Sequence, residues 1–492
     1  ALVDMYASCG IFEKAREVFD TLLVQDVVAW TILITKYARY GKYDDGLACF
    51  EEMKSKGVSP NSVILICSLN ACCTLGAIER AEEIHAEIIR LGCLGNDIAV
   101  GNALIDMYAN CGDLAKAQDV FDKLPCRDVI SWTTLITGYT KHEYNEQALN
   151  CFEKMQQEGI SPDGITFVCT LKACGSAGVI ENGIKIHDEI IRKGLLEGDV
   201  VVGNALIDMY VNCGMLSKAK EVLNQLPLQD LVSWTTLIAG YVKHGLNIEA
   251  LDCFEEMLCK RVSPDAVTVV YSLQACGNVG ATEKGQDIHA EIVRKGLLKS
   301  ELVVGNALID MYAKCGILWK AHEIFDMLPD RDEISWNALI GGYSHLGECE
   351  NVFRIVKRMV DENKSPNLIT LVSVLNVCSH AGLVEEAHML FDVFSKEHEI
   401  TPTMEHYNCM IDLLNRAGQI ENAIARIKEM PVAPNLVIWH TVMGACRKWG
   451  NSELATRAFE QALWTDDNDA ATYICMSNIY AGDGILQRDP TS

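Results

Sequence analysis

The sequence lacks several features, and each absence excludes a class of protein. It contains no C-x-x-C pair, so neither a zinc ribbon nor a thioredoxin-like redox motif is indicated. No run of eighteen apolar residues occurs, so no membrane-spanning helix is predicted. Basic residues are scarce: 42 Lys and Arg against 67 Asp and Glu give a net charge of −25, which excludes a generally basic surface for nucleic acid or anionic lipid. Only 11 prolines accompany 36 glycines, which favours helices that end at glycines over a β-sandwich.

The main positive feature is an internal repeat of 102 residues. The string GNALIDMY begins at Gly101, Gly203 and Gly305, and the opening ALVDMYASCG lies in the same register. Four tryptophans keep this spacing: Trp30, Trp132, Trp234 and Trp336. A period held without insertion over more than three copies is the signature of a repeat architecture, so separate globular domains are not expected.

Each period divides into three similar pieces of 35, 36 and 31 residues, for example 129–163, 164–199 and 200–230. Apolar residues at helical spacing predict two short helices in each piece. In the third piece the predicted buried stripes are Leu206, Met209, Tyr210 and Cys213 on the first helix, and Leu216, Ala219, Leu223 and Leu226 on the second. So short a hairpin buries its apolar face only by stacking on its neighbours, which predicts an α-solenoid.

At this point a family resemblance is evident. The piece VISWTTLITGYTKHEYNEQALNCFEKMQQEGISPD (129–163) resembles a pentatricopeptide repeat, and the 35-36-31 alternation resembles the PLS subclass of plant organellar RNA-binding proteins. The resemblance implies an all-α fold, a right-handed α-solenoid superhelix of helix-turn-helix repeats.

The same resemblance divides the chain into motifs. It implies a partial S-type repeat at 1–26; P motifs at 27–61, 129–163, 231–265 and 333–367; L motifs at 62–97, 164–199, 266–301 and 368–403; S motifs at 98–128, 200–230, 302–332 and 404–435; and an E-like extension at 436–492, beginning LVIWHTVMGACRKWGNSELA. Both ends of the chain are expected to be truncated.

Members of this family read single-stranded RNA with one base per repeat, mainly through the fifth and the last residue of each motif. By resemblance the base-reading pairs are Thr31 with Asn61, Asn102 with Asp128, Thr133 with Asp163, Asn204 with Asp230, Thr235 with Asp265, Asn306 with Asp332, Asn337 with Asn367, and Asn408 with Asn435. The fifth residues of the L motifs are Ile66, Val168, Val270 and Val372, so these motifs are expected to read weakly.

The last residues also make chemical sense. An ionised Asp only accepts hydrogen bonds, so it suits G and U, whose pairing edge carries a ring N–H, whereas Asn can donate and can serve A and C. Taken singly, each of these residues could instead be a turn residue or a helix N-cap. The family's further rule, Thr for purines and Asn for pyrimidines at the fifth position, and its polarity then imply the RNA 5′-A-N-U-G-N-U-G-N-U-Y-N-Y-3′, with an edited C four nucleotides beyond the last Y if the family's register holds.

Two further sets of residues follow from the resemblance. Second residues that would wedge between bases are Val28, Ile130, Val201, Val232, Val303 and Ile334, for which ordinary packing is an equal alternative. Candidate phosphate contacts are Arg39, Lys141 and Lys243 at the thirteenth position of P motifs, where the fourth P motif has His345, and Arg416 in the last S motif. A solvated cation at a helix end is the alternative for these. Much of the negative charge lies on second helices, for instance Glu51, Glu82 and Glu255, which would form an outer face away from RNA.

Catalysis is not predicted. Related proteins that deaminate cytidine use H-x-E with a downstream C-x-x-C to hold zinc. The three H-x-E matches begin at His85, His187 and His289, recur at the 102-residue period and lack that partner, so packing is the better interpretation. We therefore expect no active site, no metal and no cofactor.

These observations predict a site-recognition factor for organellar RNA processing, above all C-to-U editing because of the E-like segment. The expected partners are a single-stranded organellar transcript and a deaminase-bearing protein or other editing factors in trans, in the mitochondrion or chloroplast, with no membrane contact. Two alternatives remain: a protein-binding solenoid of the tetratricopeptide kind, and the specificity part of an editing enzyme whose deaminase domain lies beyond Ser492.

Overall fold

A computed structural model describes residues 1–397 and 402–482, and α-helices are the regular secondary structure of these residues. The helices form two compact units. The first comprises Ala1–Gly245 with Cys259–Val262, and the second comprises Leu246–Leu258 with the described residues from Ser263 onward. Helical hairpins follow one another through each unit, so the expected all-α solenoid is confirmed.

The first unit contains helices α1 to α17. Their bounds are α1 Leu2–Ser8, α2 Phe12–Asp20, α3 Val27–Arg39, α4 Tyr43–Ser55, α5 Ser62–Leu75, α6 Ile78–Arg90, α7 Cys93–Asn96, α8 Ile98–Asn110, α9 Leu114–Lys123, α10 Val129–Lys141, α11 Asn145–Gln157, α12 Gly164–Ala177, α13 Ile180–Arg192, α14 Leu195–Gly198, α15 Val200–Asn212, α16 Leu216–Gln225 and α17 Leu231–Lys243.

The remaining helices, α18 to α32, begin in the second unit. They are α18 Asn247–Cys259, α19 Ala266–Val279, α20 Thr282–Lys295, α21 Leu297–Ser300, α22 Leu302–Lys314, α23 Leu318–Met327, α24 Glu333–His345, α25 Cys349–Asp361, α26 Leu368–Ala381, α27 Val384–Glu397, α28 Met404–Arg416, α29 Ile420–Lys428, α30 Leu436–Trp449, α31 Ser452–Thr465 and α32 Ala470–Gly482. None of the helices described is both long and apolar enough to cross a membrane.

Each unit has two layers. The first helix of one motif contacts the first helix of the next, as α8 does with α5 and α10, and α22 does with α19 and α24. The second helices pack on the first helices of their own motif, as α9 does on α8 and α23 on α22. The starts of the first helices, where the sequence places the base-reading residues, therefore lie side by side within each unit.

The core is built from the residues that carry the repeat. Trp30, Trp234 and Trp336 are fully buried, and Trp132 packs edge-on against Phe121 with ring centroids 4.6 Å apart. All but one of the apolar residues predicted for the third piece are buried; the exception is Cys213, which is partly exposed. Stacking of neighbouring hairpins therefore buries the predicted stripes.

A close approach explains the glycine of the GNALIDMY string. A Cβ atom at Gly203 would lie 2.4 Å from Cδ2 of Leu226, and the equivalent pairs in the other copies are equally close. P motifs carry tryptophan at this fourth position. These S motifs need glycine there because a leucine of the same motif, Leu226 in this copy, fills the space. Overpacking such a site costs about 1–3 kcal/mol.

The L motifs differ from the expected two helices. Each of the first three has an additional helix of one turn, namely α7, α14 and α21. Gly92, Gly194 and Gly296 adopt left-handed conformations with φ of 65–69°, which end the preceding helix or the turn that follows it. The longer L piece then leaves enough chain for one further turn. The corresponding part of the fourth L motif includes residues 398–401, outside the described residues.

Candidate nucleic-acid interface

The last residue of each P and S motif caps the first helix of the next motif. Its backbone is extended, and one side-chain oxygen accepts a hydrogen bond from the backbone N–H three residues later. The capping residues and these N···O distances are Asn61 3.0 Å, Asp128 2.8 Å, Asp163 2.8 Å, Asp230 2.9 Å, Asp265 2.9 Å, Asp332 2.8 Å, Asn367 3.1 Å and Asn435 3.1 Å. The N-cap role that the sequence left open is therefore present, and it fixes one oxygen of each side chain.

The fifth residue of a motif lies against the last residue of the same motif in most of the predicted pairs. Five pairs are joined by a direct side-chain hydrogen bond: Asn61 to Thr31 at 3.0 Å, Asn102 to Asp128 at 3.3 Å, Asn204 to Asp230 at 3.3 Å, Asn306 to Asp332 at 3.1 Å and Asn337 to Asn367 at 3.1 Å. Residues 26 or 30 positions apart are thus brought together at the start of neighbouring first helices.

Three predicted pairs differ from this arrangement. Thr133 reaches Asp163 through Thr166, whose hydroxyl lies 2.7 Å from both side chains. Thr235 belongs to the first unit and Asp265 to the second, where Asp265 caps α19. No hydrogen bond within the described chain joins Asn408 to Asn435.

A buried hydroxyl that was not among the predicted site residues supports most of these pairs. The third residue of the following motif is a fully buried Ser or Thr whose hydroxyl lies within hydrogen-bonding distance of the capping side chain. These residues are Ser131, Thr166, Ser233, Thr268, Ser335 and Thr370. The signal in the sequence was Asp or Asn followed three residues later by Ser or Thr. The first pair, Thr31 with Asn61, lacks the hydroxyl because Ile64 stands there.

The hydroxyl network leaves one carboxylate oxygen available. Oδ1 of Asp332 lies 2.8 Å from the Ser335 hydroxyl and accepts the Asn306 amide, whereas its Oδ2 forms no hydrogen bond with the described residues. The same holds for Oδ2 of Asp128 and Asp163. Each of these aspartates therefore presents one acceptor to the surface.

The carboxylates of Asp128, Asp230 and Asp332 stay ionised. Burial acts to raise the pKa of Asp128, Asp230 and Asp332, but hydrogen bonds from the following serine and from the paired asparagine outweigh it, so each pKa lies below its ordinary value. At neutral pH the three groups can only accept hydrogen bonds.

The predicted wedge residues are exposed. Val28, Ile130, Val201, Val232, Val303 and Ile334 each have 55–64% of their surface accessible. Packing within the chain therefore does not account for the presence of apolar β-branched residues at these positions. The L motifs carry equivalent exposed residues, which the sequence analysis omitted: Val63, Ile165, Val267 and Ile369. They occupy the same second position, which is the signal that would have identified them.

The candidate phosphate contacts differ in their surroundings. Arg39 is exposed and forms no hydrogen bond or ion pair with the part of the chain that is described. Lys141 donates to Asn110 at 2.9 Å, and Lys243 is exposed. Arg416 is paired with Asp412 at 2.8 Å on its own helix, so its charge is partly neutralised. The four positions are thus unequal as phosphate contacts.

The H-x-E histidines take part in packing. Nδ1 of His85 lies 2.9 Å from the hydroxyl of Tyr108 on the next first helix, and His187 and His289 repeat the contact with Tyr210 and Tyr312. Burial lowers the pKa of all three histidines. Among the described residues, no group of three or more His, Cys, Asp or Glu side chains is placed to hold a metal ion.

Comparison with known proteins gives the same family throughout. The profile described as "PPR repeat family" matches residues 25–73, 127–176 and 229–296. The profile described as "PPR repeat" matches 102–129, 204–229, 306–332, 334–363, 369–397 and 405–433.

Three relatives from Arabidopsis thaliana illustrate the similarity. Pentatricopeptide repeat-containing protein At2g03380, mitochondrial, is 34% identical over 98% of this chain and 70% of its own length. At1g15510, chloroplastic, is 34% identical over 98% of this chain and 55% of its own length. At3g53360, mitochondrial, is 35% identical over 98% and 63%. The chain thus spans between about half and about two thirds of the length of these relatives.

Among solved structures, the fold is similar to that of the pentatricopeptide repeat protein PPR10. The crystal structure of the maize protein gives a TM-score of 0.57 at 18% identity, covering 99% of this chain and 82% of PPR10. The crystal structure of PPR10 in complex with an 18-nt psaJ RNA element gives a TM-score of 0.64 at 17% identity, covering 99% and 84%. At this identity the likeness concerns the fold.

Proposed function

Because this chain belongs to the pentatricopeptide repeat family, we propose that it binds single-stranded RNA sequence-specifically in mitochondria or chloroplasts and marks a site for C-to-U editing. The observation that carries the proposal is the pairing of fifth and last residues along the first helices. In three of the pairs, those of Asp128, Asp163 and Asp332, the capping side chain is fixed and keeps a free acceptor, and an exposed branched residue stands two positions further on.

The chemistry of base reading follows from these groups. The free oxygen of Asp128, Asp163 or Asp332 can accept the ring N–H of G or U, and A and C present no ring N–H at that edge. In DNA, a good hydrogen-bonded contact to a base edge discriminates against the wrong base by about 1–3 kcal/mol, a scale we adopt here. Exposed second residues supply apolar surface on both sides of each base.

The negative charge of the chain limits where RNA can bind. With a net charge of −25, long-range attraction is absent, so affinity must come from the local surface of the first helices. Acidic residues of the second helices form ion pairs with basic residues of neighbouring second helices, for instance Glu82 of α6 with Lys116 of α9 at 2.6 Å. Selective binding, with little affinity for random RNA, is therefore expected.

The editing role is inferred from the resemblance of residues 436–492 to the E extension. The chain supplies specificity, while deamination is carried out by a partner in trans or by a domain outside this chain. Similarity to relatives named mitochondrial or chloroplastic supports an organellar location.

The test is selection of RNA ligands from a random pool by the purified chain. We expect enrichment of 5′-A-N-U-G-N-U-G-N-U-Y-N-Y-3′ at moderate salt. Failure to retain RNA, with retention of peptides instead, would favour the protein-binding alternative. An organelle mutant with normal editing and altered transcript ends would replace editing with another step of RNA processing, and cytidine deamination by the pure, zinc-loaded chain would show that it is an enzyme.

A further inference from the structure

The E-like segment contains a set of side chains arranged like the predicted base-reading pairs. Helix α30 starts after Asn435, so residue His440 stands at the fifth position of this helix. Asp469 immediately precedes α32, and it accepts hydrogen bonds from the backbone N–H of Thr472 at 2.8 Å and from the Thr472 hydroxyl at 2.7 Å. Asp469 is therefore a capping residue of the same kind as Asp128 or Asp332.

The fifth residue again meets the last one. Nε2 of His440 lies 3.0 Å from Oδ2 of Asp469 and 2.8 Å from the Thr472 hydroxyl. Thr472 is fully buried, as the third-position hydroxyls of the earlier motifs are. The three side chains reproduce the fifth–last–third arrangement of Asn306, Asp332 and Ser335.

The second and the thirteenth positions of α30 also carry the kinds of residue found there in the earlier motifs. Val437, the second residue, is 59% exposed, like the wedge residues of the preceding motifs. Lys448, the thirteenth residue, is exposed near the end of α30, where Arg39 and Lys243 stand on their own helices. This segment therefore has a complete set of candidate base, stacking and phosphate contacts.

We propose that residues 436–469 read one further nucleotide, the one directly 3′ of the base assigned to Asn408 and Asn435, and that its ligand is guanine. The inference rests on the proposed RNA-binding function and extends it to a segment to which no base is otherwise assigned.

The choice of guanine follows from two acceptors. Hydrogen bonds from Thr472 hold the pKa of Asp469 below its ordinary value, although burial opposes this, so the carboxylate is ionised. Nε2 of His440 faces this carboxylate and the Thr472 hydroxyl, so it carries the shared proton, and in the neutral form of an imidazole that tautomer leaves Nδ1 as an acceptor. Neither Nδ1 of His440 nor Oδ1 of Asp469 is a buried atom or has a hydrogen-bond partner in the described chain.

Guanine is the base that fits two acceptors. Its pairing edge carries two adjacent donors, the ring N1–H and the exocyclic amino group, whereas uracil carries one ring N–H between two carbonyl oxygens. Adenine and cytosine present a bare ring nitrogen that would face an acceptor without a proton between them. The order of preference is therefore G, then U, then A and C.

The experiment uses the full chain and labelled RNAs of the predicted twelve-letter sequence followed by G, A, C or U. The unmodified chain should bind the G ligand about tenfold more tightly than the A ligand, which lies within the range for specific base contacts. Asp469→Asn should abolish that preference because the amide can donate to the bare nitrogen of adenine. His440→Phe removes one acceptor and should make G and U equal, while both remain preferred to A.

Asp467→Asn is the matched control, since it removes the same charge from the same loop, where the Asp467 side chain accepts a hydrogen bond from the Asn468 amide. It should keep the preference for G. Thermal unfolding of all variants checks that they fold.

The outcomes separate this inference from the proposed function. If all four RNAs bind equally while Asp163→Asn alters the preference at the fourth nucleotide, the E-like segment does not read a base and the general function stands. If no nucleotide shows any preference, the proposed function fails and this inference fails with it. A preference for A or C at the thirteenth nucleotide would show that the two-acceptor assignment is wrong.

Discussion

The amide of Asn306 donates to the carboxylate of Asp332 at 3.1 Å, across 26 positions of sequence. The Ser335 hydroxyl lies 2.6 Å from the oxygen of the same Asn306 amide and 2.8 Å from Oδ1 of Asp332. Its single proton serves one of these acceptors at a time. Ser335 thereby determines which way the Asn306 amide points, and so which of its groups can meet a base.

Removing this hydroxyl should loosen the site. We expect Ser335→Ala to lower the free energy of unfolding by about 1–3 kcal/mol, because the Asn306 oxygen is buried and loses its partner. Selectivity for U at the ninth nucleotide should fall as the amide becomes free to flip. Urea unfolding and RNA titration measure the two effects. Ser335→Thr keeps the hydroxyl, and it should restore selectivity; a Thr variant as unselective as the Ala variant would contradict this role.

A second prediction concerns two adjacent glycines of α24. A Cβ atom at Gly342 would lie 2.4 Å from Cβ of Ala313, whereas one at Gly341 meets nothing within 4 Å. Gly341→Ala should stabilise the chain by about 0.5–1 kcal/mol, since glycine is unfavourable inside a helix. Gly342→Ala should destabilise it by about 1–3 kcal/mol through overpacking. Equal unfolding temperatures for the two variants would refute the close approach of α24 to α22.

The exposed branched residues of the L motifs give a third prediction. Ile165 and Ile191 lie in one L motif and are 64% and 51% exposed, Ile165 on the first helix and Ile191 on the second. Replacing either by Ser should leave stability nearly unchanged. Only Ile165→Ser should weaken RNA binding, by about 0.5–1 kcal/mol, less than aromatic stacking contributes. Equal losses for both variants would show that position on the first helix is irrelevant.

The pH dependence of stability follows from the lowered pKa values of Asp128, Asp230 and Asp332. A carboxyl whose pKa is lower in the folded than in the unfolded chain stabilises the fold above the unfolded value of about 3.9, and this contribution is lost as the pH falls further. Burial raises the pKa of Asp106 and Asp208, so protonation of these two groups adds stability as the pH falls toward about 3.9 and partly offsets the loss that follows below it. The unfolding temperature should therefore fall mainly below about pH 4.

The contribution of the three capping aspartates to acid unfolding can be measured apart from that of all other carboxyls. Asn caps helices equally well in this chain, as Asn367 does, so changing Asp128, Asp230 and Asp332 together to Asn keeps the caps. As the pH falls below about 4, the range in which ordinary Asp titrates, the triple variant should lose less stability than the unmodified chain. An unchanged acid profile would show that these groups do not govern it.

The sequence predicted much of this molecule because its period is unbroken. Leu206, Met209 and Tyr210 occupy fixed places in the repeat, and helical spacing predicted their burial, which the structure confirms. The third-position hydroxyls were missed because a lone Ser335 has no apolar periodicity; its role appears only when Asn306 is folded next to it. Likewise, exposure of Val28 could not be predicted from its residue type, since a valine one position further along a first helix, Val202, is fully buried.

The sharpest test of base reading is Asp163→Asn. Asp163 uses Oδ1 to cap α12 and to accept from Thr166, and its Oδ2 is free to meet the fourth base. The substitution replaces an acceptor-only group with one that can donate, and Asn still caps, so folding should be preserved. We expect the preference at the fourth nucleotide to move from G toward A, with a change of about 1–3 kcal/mol on the scale of specific base contacts, and the other nucleotides to be unaffected. Asp188→Asn, on the second helix of the next motif, removes the same charge and should change nothing. Equal binding of G and A before and after the Asp163 substitution would show that this position does not read the base.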